Sequence, residues 1–146
     1  MTASQERIVL TYGTFDLFHA GHVRLLQRAS ELGSKVIVGL STDDFNALKG
    51  KQAVMSYEDR KCILEACRFV DEVFPENHWE QKTFDAQRLG ADVFVMGDDW
   101  TGKFDFMSGH CDVVYLSRTP EVSTTLLKSK ITSWLNIDKP ITLSRQ

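Results

Sequence analysis

Four short apolar runs, at residues 7–12, 35–40, 92–96 and 113–116, recur along the chain and alternate with segments of helical spacing. Each run has the length of one strand and reads as buried. Between them lie segments expected to be helices at 20–32, 57–70, 79–89 and 123–135. The first of these carries Val23, Leu25, Leu26, Ala29 and Leu32 at helical intervals. Gly33 and Gly90 suit helix stops, and Ser56 suits an N-cap because its hydroxyl can accept an unpaired first-turn N–H. Strands alternating with helices predict an α/β fold. The expected form is a single doubly wound, Rossmann-like parallel sheet with helices on both faces.

The length of 146 residues is that of one ordinary domain. The expected boundaries are a catalytic domain at 1–131 and a C-terminal tail at 132–146 to which the sequence assigns no role. Lys and Arg number 17 against 20 Asp and Glu, a net charge of −3 that gives no support to sequence-independent nucleic-acid binding. Cys62, Cys67 and Cys111 form no C-x-x-C pair, so reduced thiols are expected. No stretch resembles a signal peptide and no apolar run is long enough to span a membrane, which together predict a cytoplasmic chain.

Ligands of such sheets bind beyond the carboxyl ends of the strands, where strand order reverses. The loop after the first strand reads G-T-F-D-L-F-H-A-G-H and supplies Gly13, Thr14, Phe15, Asp16, His19, Gly21 and His22. Gly13 permits a tight turn. Gly21 is expected to leave room for a phosphate beside a helix start whose N–H groups are unpaired. His19 and His22 lie on one side of a helical turn and can face the same anion. A His pair at this spacing is also half of a zinc site, but no Cys or Glu cluster completes one.

The second loop holds Lys49-Gly50-Lys51, a candidate cationic flap. On the following helix, Arg60 and Arg68 are charged residues of the kind that normally face solvent. Arg68, at the end of an apolar stretch, is the better ligand candidate. Beyond the third run, Asp98 and Asp99 are either turn formers or ligands to a base, sugar or metal. Arg118, Thr119, Ser123 and Thr124 join an arginine to a hydroxyl-rich helix start, a second anion site. Two anion sites across one sheet end suit a triphosphate. Neither a Walker-type loop nor G-x-G-x-x-G occurs, which argues against P-loop hydrolysis and dinucleotide redox chemistry. Attack on an α-phosphorus with loss of pyrophosphate fits these residues.

His19-Ala20-Gly21-His22 resembles the H-x-G-H signature of a nucleotidyltransferase superfamily, and Arg118 to Thr124 is similar to the R-T-x-x-x-S-T signature of its cytidylyltransferase branch. S-T-D-D-F-N, S-Y-E-D-R-K, D-E-V-F-P-E, W-E-Q-K and V-F-V-M-G-D-D-W-T-G-K-F-D-F narrow the likeness to bacterial glycerol-3-phosphate cytidylyltransferases, over about residues 8–131. The resemblance implies that CTP and glycerol 3-phosphate give CDP-glycerol and pyrophosphate by direct in-line attack. It implies a divalent metal, Mg2+, carried mainly on the CTP phosphates, a homodimer, and a product that feeds teichoic-acid-like or capsular polymer synthesis. On that view His19, His22, Lys49, Lys51 and Arg118 are catalytic. Gly13, Thr14, Phe15, Gly21, Asp99, Thr119, Ser123 and Thr124 hold the nucleotide, with Asp99 reading the cytosine amino group. Asp16, Arg68, Trp79 and Lys82 form the acceptor pocket. Trp79 would suit either a choline-like cation or a neutral polyol wall. Two alternatives stand beside this reading: the same fold with another acceptor, such as a different polyol phosphate or phosphoethanolamine, or a catalytically silent nucleotide-binding module. Pro120, next to Thr119, departs from the family pattern and holds Thr119 extended.

Overall fold

The computed structural model describes residues 6–118 and 122–138. Five parallel strands form one sheet: β1 (Ile8–Gly13), β2 (Lys35–Ser41), β3 (Glu72–Glu76), β4 (Val93–Gly97) and β5 (Asp112–Leu116). Their order is β3-β2-β1-β4-β5, so the direction of winding reverses between β1 and β4. The helices are α1 (Ala20–Ser30), α2 (Asp43–Leu48), α3 (Tyr57–Glu65), α4 (Gln81–Leu89) and α5 (Thr124–Asp138).

Alternate residues of each central strand feed two separate cores. Val9, Val36, Val38, Leu40, Val93 and Val95 pack with Leu26 and Ala29 of α1 and Leu64 of α3. Leu10, Tyr12, Ile37, Phe94 and Met96 pack with Ala86 of α4, Phe104 and Met107. Burial on both faces is why the strands read as continuous apolar runs. At the amino edge, Asp92 accepts from the Ile8 N–H at 2.8 Å and Asp71 from the Val36 N–H at 2.8 Å. These carboxylates satisfy strand-start donors that have no sheet partner.

The structure departs from the sequence reading at several elements. β3 was not expected: its sequence E-V-F-P-E has two acidic ends and a proline, and it lies at the sheet edge, where a missing N–H is tolerated. The short helix α2, capped by Thr42 on the Phe45 N–H, was not expected either. The helix predicted over 57–70 ends at Glu65, because the chain must turn to bury Val70 and enter β3. Ser56 does cap it, accepting from the Asp59 N–H at 3.2 Å. The helix predicted from Trp79 starts at Gln81, leaving Trp79 in the loop. Gly90 is left-handed at φ 66° and ends α4 as expected. Gly33 is not the stop of α1, which ends at Ser30. A Cβ at Gly33 would lie 2.3 Å from the Arg7 carbonyl oxygen, so Gly33 permits a close chain crossing. The last helix runs on to Asp138, so the start of the expected tail is helical.

Candidate active site

Two adjoining cavities open beyond the carboxyl ends of β1, β2 and β4. They measure about 430 Å³ and 500 Å³ and share the turn Gly13, Thr14, Phe15 together with His22 and Lys51. That turn is tightly wound. Phe15 and Leu17 have φ of 51° and 50°, a conformation uncommon outside glycine and characteristic of functional loops. A Cβ on Gly13 would lie 2.8 Å from the Phe15 ring, so the glycine lets that ring fold back over the strand end.

His19 and His22 line the smaller cavity. His19 is the N-cap of α1, and its Nδ1 accepts from the Gly21 N–H at 3.0 Å. Nδ1 of His22 accepts from the His19 N–H at 3.2 Å. An accepting Nδ1 carries no proton, so each neutral ring holds its hydrogen on Nε2 and has it free to donate. The rings stack with centroids 3.8 Å apart, and His22 also meets Phe15 and Phe18. Burial, reinforced by the neighbouring His19, lowers the His22 pKa to about 3. Burial, with Arg118 nearby, also lowers that of His19. Both are therefore neutral donors around pH 7. Gly21 does not leave space for a phosphate as expected: a Cβ there would lie 2.8 Å from the His19 ring, which already fills that space.

Asp99, Trp100, Arg118, Ser123 and Thr124 line the same cavity. Arg118 Nη1 lies 4.0 Å from Asp99 Oδ2, both about half exposed. Ser123 accepts from the Leu126 N–H at 3.0 Å and so caps α5, while Thr124 donates to the Asp16 carbonyl at 2.9 Å. Thr119 lies outside the described residues.

The larger cavity is lined by Lys49, Lys51, Trp79 and Lys82, with Ser41 and Glu76. Lys49 Nζ donates to Ser41 Oγ at 3.2 Å and sits 4.4 Å from the Phe45 ring centroid. Burial lowers its pKa to about 8. Lys82 is buried and its Nζ lies 2.5 Å from Glu76 Oε2, which is equally buried. Asp16 lines this cavity too, but both its oxygens are committed to backbone, accepting from Val54 at 2.7 Å and Met55 at 3.0 Å. It braces the segment that follows the lysines, and Lys128 Nζ lies 3.8 Å from its Oδ2.

Two expectations reverse at the arginines. Arg68 is exposed on the turn after α3 and lines neither cavity. Arg60, expected to face solvent, is 1% exposed. Its guanidinium donates to the carbonyls of Thr14 (3.0 Å), Ser41 (2.8 Å) and Met55 (3.0 Å) and to the Asp43 carboxylate (2.7 Å). One side chain thus ties the ends of β1 and β2 to the loop beyond Lys51. Sequence reasoning also missed Glu76 and Ser41. The only local sign of Glu76 was an acid after the short segment V-F-P, a pattern equally common in solvent-facing loops. Among the described residues no group of three or more His, Cys, Asp or Glu side chains could hold a metal ion.

The model of the cytidylyltransferase-like family matches residues 10–133. Glycerol-3-phosphate cytidylyltransferase of Bacillus subtilis is 58% identical over 123 residues, covering 84% of this chain and 95% of that protein. The Staphylococcus aureus protein of the same name is 52% identical over 123 residues, covering 84% of this chain and 93% of its own. Among solved structures, a lipopolysaccharide core biosynthesis protein from Thermoplasma volcanium superposes with a TM-score of 0.71 at 20% identity, over 79% of this chain and 99% of that one. This last likeness concerns the fold.

Proposed function

The chain belongs to the cytidylyltransferase-like family, and from that premise we propose that it transfers CMP from CTP to glycerol 3-phosphate, releasing CDP-glycerol and pyrophosphate. The observation that carries this reading is the pair of Nε2–H donors of His19 and His22 on one cavity, beside a second cavity lined by Lys49 and Lys51.

The chemistry needs little more. A phosphate monoester is already a nucleophile, so catalysis rests on alignment and on stabilising charge as pyrophosphate leaves. CTP lies in the smaller cavity, its cytosine amino group donating to Asp99. Its β- and γ-phosphates meet Arg118 and the α5 start capped by Ser123. The acceptor phosphate is held in the larger cavity by Lys49 and Lys51, which brings its oxygen to the shared turn at Gly13 to Phe15. There the neutral histidines donate to the α-phosphoryl oxygens as charge builds. They need not exchange a proton, which suits rings that remain uncharged at neutral pH.

A divalent ion, Mg2+, belongs to the same proposal. It would be carried mainly on the CTP phosphates and would offset their charge there. A homodimer is also proposed, tested by light scattering for twice the chain mass. No helix among the described residues is long and apolar enough to cross a membrane. A cytoplasmic site of action and a product that feeds polyol-phosphate polymer synthesis complete the proposal.

The deciding experiment measures pyrophosphate release from CTP with a panel of phospho-acceptors, with UTP and ATP as controls. Turnover is expected with CTP and glycerol 3-phosphate. Release with another acceptor alone would replace the substrate, and none with any acceptor would leave a nucleotide-binding module.

A further inference from the structure

The larger cavity contains an aromatic recess already filled by one of the protein's own ammonium groups. Lys82 Nζ lies 4.8 Å from the ring centroid of Tyr12, 4.7 Å from Trp79 and 5.6 Å from Phe104. All four residues line the cavity. Rings grouped around a cation in this way are the means by which proteins capture substituted ammonium groups, since each ring face carries negative charge density. Lys49 Nζ adds a second positive charge 5.4 Å from the Trp79 ring centroid.

The internal cation is held firmly. Lys82 and Glu76 are each 2% exposed and lie 2.5 Å apart. The second oxygen of Glu76 accepts from Ser41 Oγ at 3.0 Å, and Ser41 in turn accepts from Lys49. Lys82 therefore spends one of its three donors on Glu76 and keeps the rest for the cavity. With its charge balanced by a buried carboxylate, it is a weaker phosphate ligand than Lys49 or Lys51. A hydroxyl can accept from it. A second ammonium meets a like charge in the place it would need to occupy.

We propose that Lys82 sets acceptor specificity: as an internal occupant of the Tyr12–Trp79–Phe104 recess, it excludes phosphocholine and phosphoethanolamine and leaves the cavity to neutral polyol phosphates. This rests on the reading of the larger cavity as the acceptor site. It resolves the two uses open to Trp79 in favour of the polyol wall.

The test compares kcat/KM for glycerol 3-phosphate, phosphocholine and phosphoethanolamine in the wild-type protein, Lys82→Met and Lys82→Arg. Lys82→Met removes the ammonium and, being one atom shorter, opens the end of the recess nearest Glu76, whose unpaired carboxylate then favours a cation. The ratio of cationic to polyol acceptor is expected to rise by ~10²-fold or more, and to stay near the wild-type value in Lys82→Arg. CTP binding by calorimetry reports whether each variant is folded. If Lys82→Met does not bind CTP, Lys82→Met/Glu76→Gln, which leaves no unpaired buried charge, is held to a shift of at least ~10-fold. Choline chloride should quench tryptophan fluorescence in the Lys82→Met protein and not in the wild type, a readout independent of turnover. An unchanged ratio in a CTP-binding variant overturns the role of Lys82, as does a wild-type protein that accepts phosphocholine as readily as glycerol 3-phosphate. Wild-type protein that binds CTP but never uses glycerol 3-phosphate overturns the proposed function instead, and the choline titration then decides the recess by itself.

Discussion

The His19 imidazole occupies the space that a side chain on Gly21 would need, with its Cε1 2.8 Å and its Nδ1 3.0 Å from the position of a Cβ there. The glycine of H-x-G-H is thus a packing requirement of the first histidine. The ring is held by its own bond from the Gly21 N–H, so the turn and the donor form one unit.

Gly21→Ala should therefore behave like a catalytic lesion. The new methyl displaces the His19 ring, and kcat is expected to fall by ~10²-fold, as it should in His19→Ala and His22→Ala, because each loses a transition-state donor. CTP binding measured by calorimetry should change far less. Turnover close to wild type in either histidine variant would remove the assigned roles.

His22 makes the fold sensitive to acid. Its pKa is near 6.5 in the unfolded chain and about 3 in the folded one, lowered first by burial and then by His19. Between those values the unfolded chain binds a proton that the folded chain does not. Stability should then drop as pH falls from about 6.5 toward 3. Urea midpoints at pH 7 and pH 5 are expected to differ less in His22→Asn, whose amide oxygen can keep the bond from the His19 N–H.

Lys49 gives the opposite limb. With its pKa lowered to about 8 by burial, the free protein loses this charge as pH rises through that value. The kcat/KM for an anionic acceptor should decline with it. Lys49→Arg keeps the charge at all accessible pH, so its profile should be flat through the same range. A wild-type profile without the decline would take Lys49 away from the acceptor.

Asp99→Asn should erode the preference for CTP over UTP. A carboxylate only accepts, which suits the cytosine amino donor, whereas an amide also offers a donor to the uracil carbonyl. The ratio of kcat/KM for the two nucleotides is the measurement. An unchanged ratio would refute base reading by Asp99.

Arg60→Met is expected to cost about 2–4 kcal/mol of stability, because the carbonyls of Thr14, Ser41 and Met55 lose a charged donor together. Arg60→Lys should rescue little, since one ammonium cannot reproduce the planar fork. Chemical denaturation of both variants gives the comparison.

Much of the fold was legible in the chain. β1, β2, β4 and β5 are covered on two faces or close to it, and so announce themselves as apolar runs. β3 gave no such signal, since a sheet edge permits charge and a proline. The histidine pair and the lysine pair were legible because each is local to one loop. Arg60 and Arg68 were ranked the wrong way round, since both lie in one stretch read as a helix and nothing local tells which is buried. Only the arrival of the Thr14, Ser41 and Met55 carbonyls around one of them decides which is desolvated.

The sequence by itself determined the alternation of strand and helix, the loops at the sheet end and the identity of their donors, because these depend on short-range periodicity and turn chemistry. Tertiary structure alone decided that Asp16 braces a backbone and that Gly21 makes room for a ring. It alone also put Lys82 with Glu76 inside an aromatic recess. Each depends on burial and on partners brought from distant segments. Charge in a folded protein acquires its meaning from what surrounds it once water is removed.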